Sequence, residues 1–314
     1  MNRKQYLVYR LVWTVVGAWG ALSGIFLAFA LAPDPGQYKI CPGGGCRAAY
    51  RAARNYDAPL HERYLSWMEG FLTFDLGTTV RGEPIAGVLA DASTVTLTYL
   101  VLSVALAVIA GVGVGLFVAM RPDSKLLRAV RAVSYVGFAI PTFVAALGVF
   151  FVAVEYLGIY TLEYDHEQAL FTARNLVALT LPAGVVTVNL FAIQLRYARS
   201  ESVDILQRDF IRALHARGMG TAVVVRHVLK NGATSLLSVF FSELVGVVFV
   251  VLVVVEVIFD IPGFGQLLYR GIQQRDLGII LATTTFPILL VMVGNFVQDV
   301  AYTIIDPRIE SGAE

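Results

Sequence analysis

Long apolar stretches, separated by short charged ones, organise this 314-residue chain. A membrane-crossing helix needs roughly 20 consecutive apolar residues. Six windows reach that length, near 10–31, 93–120, 134–157, 175–197, 233–258 and 279–305. The second and last exceed the hydrocarbon thickness and imply tilt or ends outside the bilayer. The fourth is interrupted by Pro182, Asn189 and Gln194. The pattern predicts an all-α integral membrane protein with six transmembrane helices. An anchor helix and a long outer loop occupy 1–92, a five-helix core 93–305, and a short tail 306–314. In the outer loop, HERYLSWMEGFLTFDLGTTVRGEPIAGVL mixes Tyr64, Trp67, Phe71 and Phe74 with charges before Gly77 and Pro84. That composition suits a helix at the headgroup level.

The first window also invites a signal-peptide reading, because Ala30 and Ala32 form a small-x-small pair. A secretory apolar region runs about 7–15 residues, whereas Leu11 to Leu31 is longer, so an uncleaved anchor is expected. Composition agrees with the membrane class. The chain is 57% hydrophobic and 15% charged, against about 25% charged in soluble domains. A net charge of +1 gives no reason to expect a nucleic-acid partner.

Where the charges lie sets the orientation. With a cytoplasmic N-terminus, the inner segments collect 15 of the 24 Lys and Arg residues. The two short outer loops hold three, Arg174, Arg270 and Arg275, and the long outer loop, too long to count, holds six. Excess Lys and Arg mark the cytoplasmic side, so both termini are expected inside. Cys41 and Cys46, in CPGGGC, then fall outside the cell. Intervening glycines would let them close a disulfide ring, and unpaired thiols are the other reading. Two cysteines without a histidine pair fall short of a zinc ligand set.

Catalytic patterns are missing. The sequence contains no GxxxxGK[ST], HExxH or GxSxG, so ATP hydrolysis by this chain alone is not expected. Ser23 with a histidine could suggest an intramembrane serine protease, but no apolar window carries a histidine to serve as its base. Gly111, Gly113 and Gly115 sit within an apolar helix with no strand before them. They fit close helix packing rather than a nucleotide loop.

The most informative polar stretch is DFIRALHARGMGTAVVVRHVLKN, residues 209–231. Phe210, Ala213, Leu214 and Arg217 recur at helical spacing. Gly218, Met219 and Gly220 break the helix, and AVVVRHVLKN leads back into the fifth window. A short helix, a glycine break and a re-entry describe a protruding cytoplasmic elbow within 198–232. A basic loop drawn to anionic lipid would explain the charge, but not the alanines or the glycine.

This stretch resembles the EAA loop of ATP-binding-cassette importer permeases. RALHARG followed by RHVLKN is similar to the R-T-A-R-A-K-G and R-H-x-L-x-N of the dipeptide, oligopeptide and nickel permease family, with Leu214 where that family usually has alanine. FDLGTTV resembles its GDLGxS, TVTLTYL the start of its second span, and FAIPTFVAALGVFF its I-P-S-F-W segment. EVIFDIPGFGQLL resembles its E-x-x-F-x-x-P-G-x-G, and DPRIE its terminal D-P-R.

The resemblance implies a permease subunit of an importer in a prokaryotic plasma membrane, for di- or oligopeptides or a related solute. Its implied partners are a second homologous permease, two cytoplasmic ATP-binding subunits, an extracytoplasmic substrate-binding protein and the lipid bilayer. ATP and Mg would be held by the ATPases, and no cofactor by this chain. Asp209, Arg212, Ala213, His215, Ala216, Arg217, Gly218, Met219 and Gly220 would form the ATPase-coupling elbow, with His227 and Asn231 at the re-entry. Pro141, Glu256, Asp260, Pro262, Gly263 and Gly265 would lie along the translocation path, Glu256 near enough to the interface to be solvated. For the glycines, a structural turn is an equal alternative.

Glu243, near mid-membrane, would face a cavity, bind a substrate amine or a proton, or be a neutral group bonded to a neighbouring helix. The rival class is an ion- or proton-coupled secondary transporter in which Glu243 or Asp299 carries protons. It would work alone and would usually show an internal repeat. None is visible.

Overall fold

The computed structural model describes residues 3–31, 48, 51–52, 56–159, 163–247 and 252–305. Cys41, Cys46 and the D-P-R tail lie outside them. Twelve helices cover most of the described chain: α1 (Arg3–Ala30), α2 (Leu60–Thr73), α3 (Ile85–Met120), α4 (Lys125–Ala139), α5 (Thr142–Phe150), α6 (Ala173–Ala178), α7 (Thr180–Leu206), α8 (Asp209–Ala216), α9 (Thr221–Gly246), α10 (Leu252–Ile258), α11 (Phe264–Gln274) and α12 (Leu277–Ile305). A π-helical turn, Phe151–Tyr156, extends α5. Among the described residues the β pairing is a single bridge, Thr78 to Pro84.

Four stretches are long and apolar enough to cross a membrane: Lys4–Ala30, Ile85–Met120, Ala173–Leu206 and Leu277–Ile304. A fifth is counted if α4 and the α5 segment form one span, but they meet at 99°. One straight helix over 134–157 is therefore not what the chain forms. Pro141 has no N–H to continue α4, and a residue preceding proline is pushed out of the helical region. Ile140 accordingly sits at φ −80°, ψ 120°. The window at 233–258 is described as the end of α9 and α10, on either side of 248–251.

The most extensive helix pair is α3 with α7. Gly111 and Gly115, four residues apart on one face of α3, make it possible. A Cβ on Gly111 would lie 2.7 Å from Gln194 Cβ, and one on Gly115 would lie 2.7 Å from Leu195 O. Gly113, on another face, has open space beside it. The glycine run is thus a helix-packing device at two of its three positions. Above this contact Tyr99, Leu100, Val186, Leu190, Val255 and Ile261 form the main apolar core.

The first helix packs along the last. Arg10 of α1 pairs with the buried Asp299 of α12. Helix α2 occupies the aromatic segment between the first two apolar windows and leans on α1: the Trp67 ring is 5.2 Å from Phe26, and Ser23 Oγ is 2.8 Å from Tyr64 OH. Ser23 is therefore a joint between two helices.

Candidate functional site

At one end of the core, α10 turns into α11 through Phe259–Gly263. Glu256 has 0% exposure, so the expectation of a solvated carboxylate does not hold. Its Oε1 accepts hydrogen bonds from Thr96 Oγ1 (2.6 Å) and Tyr99 OH (2.8 Å) of α3. Its Oε2 accepts from the backbone N–H groups of Gly265 (2.6 Å) and Gln266 (3.1 Å).

These bonds solve a problem that every helix start poses. The first N–H groups have no partner within the helix, and burial makes each unpaired one costly. In α11, Phe264 N donates to Thr96 Oγ1 at 2.8 Å, Gly265 and Gln266 donate to Glu256, and Leu267 N reaches Gly263 O at 2.9 Å. A carboxylate is also the favoured charge at this end of the helix dipole.

The glycines follow from space. A Cβ on Gly263 would lie 2.3 Å from Glu256 Oε1, and one on Gly265 would lie 2.6 Å from the Val253 backbone. The E…PGxG pattern is thus a buried joint that clips α10 and α11 to α3. Thr96 and Tyr99, both in TVTLTYL, are three residues apart and share a face of α3. Their spacing was the available signal for a polar partner.

Beside the joint, Asp260 takes a left-handed conformation at φ +48°, which aspartate tolerates better than most residues. Its carboxylate meets His166 Nε2 at 2.9 Å, Gln266 Nε2, and Arg270 at 3.7 Å. Pro262 is half-buried in the same turn. Asp276 is a further buried acid that the sequence reading missed. It accepts from Gly278 N (3.1 Å) at the start of α12 and from Val80 N (2.6 Å) in the loop after α2. An aspartate directly before an apolar run is an N-cap signal.

At the other end, α8 forms a short elbow between α7 and α9. Ile211, 1% exposed, joins Leu116, Ile205, Val224 and Val228 in a second apolar cluster, with Leu214 packed on it. Leu214 and Phe210 therefore part company: Leu214 anchors the elbow, while Phe210 at 36% exposure, Ala213 and Arg217 face outward. The helix ends on Gly218 at φ +72°. Gly218 N donates to His215 O (2.9 Å) and Met219 N to Leu214 O (3.1 Å), the paired bonds of a glycine-terminated helix. Gly220 then begins α9. Asp209 and Arg212 pair at 3.1 Å on the exposed surface. His215 and Ala216 are exposed; His227 lies 6.4 Å from Phe210, ring to ring, and Asn231 bonds back to His227 O at 2.8 Å.

The remaining sites are apart from both. Glu243 is half-buried on α9, within electrostatic reach of Arg196 of α7. The Arg196 guanidinium stacks 3.9 Å from the Phe138 ring. Pro141 is exposed at the bend before α5, where Asn189 of α7 donates to Thr142 Oγ1 at 3.0 Å. Asp299 is held by Arg10.

Residues 111–311 match the family described as binding-protein-dependent transport system inner membrane component. The chain is 32% identical to the oligopeptide transport system permease protein AppB of Bacillus subtilis, over 80% of this chain and 81% of that one. It is 30% identical to a putative peptide permease protein of Brucella suis, over 91% and 92%. It is 28% identical to the dipeptide transport system permease protein DppB of Bacillus subtilis, over 81% and 80%. The chain belongs to the binding-protein-dependent transport system inner membrane components, as a multi-pass permease of an ATP-binding-cassette importer in a prokaryotic inner membrane.

Proposed function

We propose that the chain is one of two homologous permeases in a peptide importer, and that it is driven through α8. The observation that carries this reading is the build of the elbow. Its inner face, Ile211 and Leu214, is fixed to the ends of α3, α7 and α9. Its outer face offers small and apolar groups, Ala213, Ala216, Phe210 and Met219, the last 43% exposed. Such a lever transmits force only if another protein grips the outer face. Two cytoplasmic ATPases holding ATP and Mg supply that grip, and an external binding protein delivers the substrate. Peptide as the substrate is supported by the relatives' descriptions.

In this reading six spans cross the bilayer with both termini inside, α4 and α5 together making the third. When the ATPases close, α8 moves with them, and α9 carries the displacement towards the joint at Glu256. Pro141, Glu243, Asp260 and Pro262 lie along or beside the path. A peptide carries an amine, and Glu243 is a carboxylate able to meet it in a desolvated setting.

The tagged chain, purified from native membranes in mild detergent, should bring a second permease and two ATPases. Ala213→Asp changes only an exposed side chain, so it should lose the ATPases and keep the second permease. Peptide uptake by the reconstituted chain alone, driven by a proton gradient without ATPase, would sink the proposal in favour of the secondary-transporter class.

A further inference from the structure

A cavity of about 270 Å³ lies where the ends of α1, α3 and α12 meet α2. Ligand pockets begin near about 300 Å³, so it has room for a slender group. Its walls are chiefly aromatic and aliphatic, with Phe26 of α1, Trp67 and Phe71 of α2, Leu89 of α3 and Phe286 of α12. The helices α1 and α12 that supply part of them also expose Trp19, Leu27 and Leu290.

Among the polar residues of these walls, Thr285 and Arg63 stand out as donors. Thr285, 2% exposed, has a hydroxyl with no hydrogen-bond partner. Its neighbours Thr283 and Thr284 donate back to the carbonyls of Ile279 (2.7 Å) and Ile280 (2.6 Å), as hydroxyls in apolar helices usually do. Thr285 does not. A buried hydroxyl left unpaired is costly, so an acceptor brought by a ligand would fit there. Arg63 of α2 is the basic residue of the lining, stacked 4.9 Å from the Tyr56 ring. Asp75, the acidic residue of the lining, follows the opposite end of α2.

We propose that this cavity binds one phospholipid from the outer leaflet. An acyl chain lies against Phe26, Trp67 and Phe71. An ester oxygen accepts from Thr285, and the phosphate sits at Arg63. A phospholipid brings an apolar chain and a glycerol-phosphate region made of acceptors, which matches the apolar walls and the donors at Thr285 and Arg63. A peptide would bring backbone N–H groups as well, and those aromatic walls could not satisfy them. The assignment is independent of the transported solute, since the cavity is built from α1, α2 and the outer ends of α3 and α12.

The test uses the whole importer in nanodiscs of phosphatidylcholine containing a phosphatidylglycerol with a photo-reactive acyl terminus. After illumination, labelled peptides are mapped by mass spectrometry. Labelling should concentrate on the peptides bearing Phe26, Trp67 and Phe71. Ser66→Trp, at an exposed position of α2 that borders the cavity, should abolish it without changing labelling near Trp19. Loss of one headgroup contact in Arg63→Gln should lower it roughly fivefold. Thr285→Val, which keeps the shape and removes the donor, should lower it too, and serves if Ser66→Trp fails to fold. Labelling spread evenly over lipid-facing helices, or none in the cavity, would overturn the proposal. Labelling competed away by added oligopeptide would overturn it in favour of a peptide site.

Discussion

The joint at Glu256 and the elbow at α8 are both short breaks between helices, and both contain glycines, yet the glycines serve opposite ends. At the joint the glycines make room. Gly263 and Gly265 are there because the Glu256 carboxylate and the Val253 backbone occupy the space a side chain would need. At the elbow Gly218 has nothing within 4 Å of where its Cβ would be. Its value is conformational, a left-handed residue that ends α8. One break is closed inward by four hydrogen bonds to a single carboxylate, and the other is left open outward. In the importer proposed above both have a use: the joint holds its helices in register, and the elbow is the handle for an ATPase.

The joint depends most on Glu256. Glu256→Ala strands the N–H groups of Gly265 and Gln266 in a dry interior, together with the Tyr99 hydroxyl. Each stranded group costs about 1–3 kcal/mol, so the variant should lose at least about 3 kcal/mol. That is enough to deplete the folded permease from membranes. Thermal unfolding of the purified importer, followed by tryptophan fluorescence, measures it, and an unchanged midpoint would mean that the carboxylate is dispensable. Gly265→Ala comes next. Overpacking of this kind costs typically about 1–3 kcal/mol, and here the obstacle is backbone, which cannot swing aside as a side chain can.

Much of the fold is legible in the sequence. The apolar windows located the long helices, and the order of RALHARG, RHVLKN and EVIFDIPGFG indicated the family and the elbow. What could not be read was which polar groups meet. Glu256 lies near the end of an apolar window, where a carboxylate ordinarily reaches water. Its side-chain partners are 160 and 157 residues away, in Thr96 and Tyr99. Arg10 and Asp299 meet across 289 residues. A window of hydropathy records how far a residue is from a helix end, and long-range packing decides whether that end is wet. The bend at Pro141 is a different miss. Its cause was local and present in the sequence, but the apolar run on both sides concealed it.

At Gly218 the expected effect is intermediate. Because space is open there, the cost of a side chain is the left-handed backbone alone, about 1–2 kcal/mol per residue. Gly218→Val should therefore destabilise the elbow by about that much. Gly218→Asn, whose side chain tolerates the conformation, should restore most of it. At Gly265 no such rescue exists, because asparagine is as obstructed as alanine. Unfolding midpoints of Gly218→Val, Gly218→Asn, Gly265→Ala and Gly265→Asn separate the two kinds of glycine. Equal damage from Val and Asn at position 218 would show that space, after all, is the constraint.

The smallest expected effect on stability is also the most discriminating for function. Arg212 and Asp209 form an ion pair at the surface of α8, with side chains 74% and 95% exposed. Exposed pairs contribute about 0.2–1 kcal/mol, and many contribute nothing measurable. Arg212→Ala should therefore leave the unfolding midpoint of the isolated permease within error. If the outer face of the elbow is where an ATPase grips, the same change removes a charge from an interface, and peptide uptake driven by ATP should fall while the fold stands. High salt should then weaken ATPase binding in the normal chain more than in the variant, since exposed charge interactions are screened. If uptake and salt sensitivity are both unaltered, Arg212 is only a solvated charge, and the grip on the elbow rests on Phe210, Ala213 and Met219.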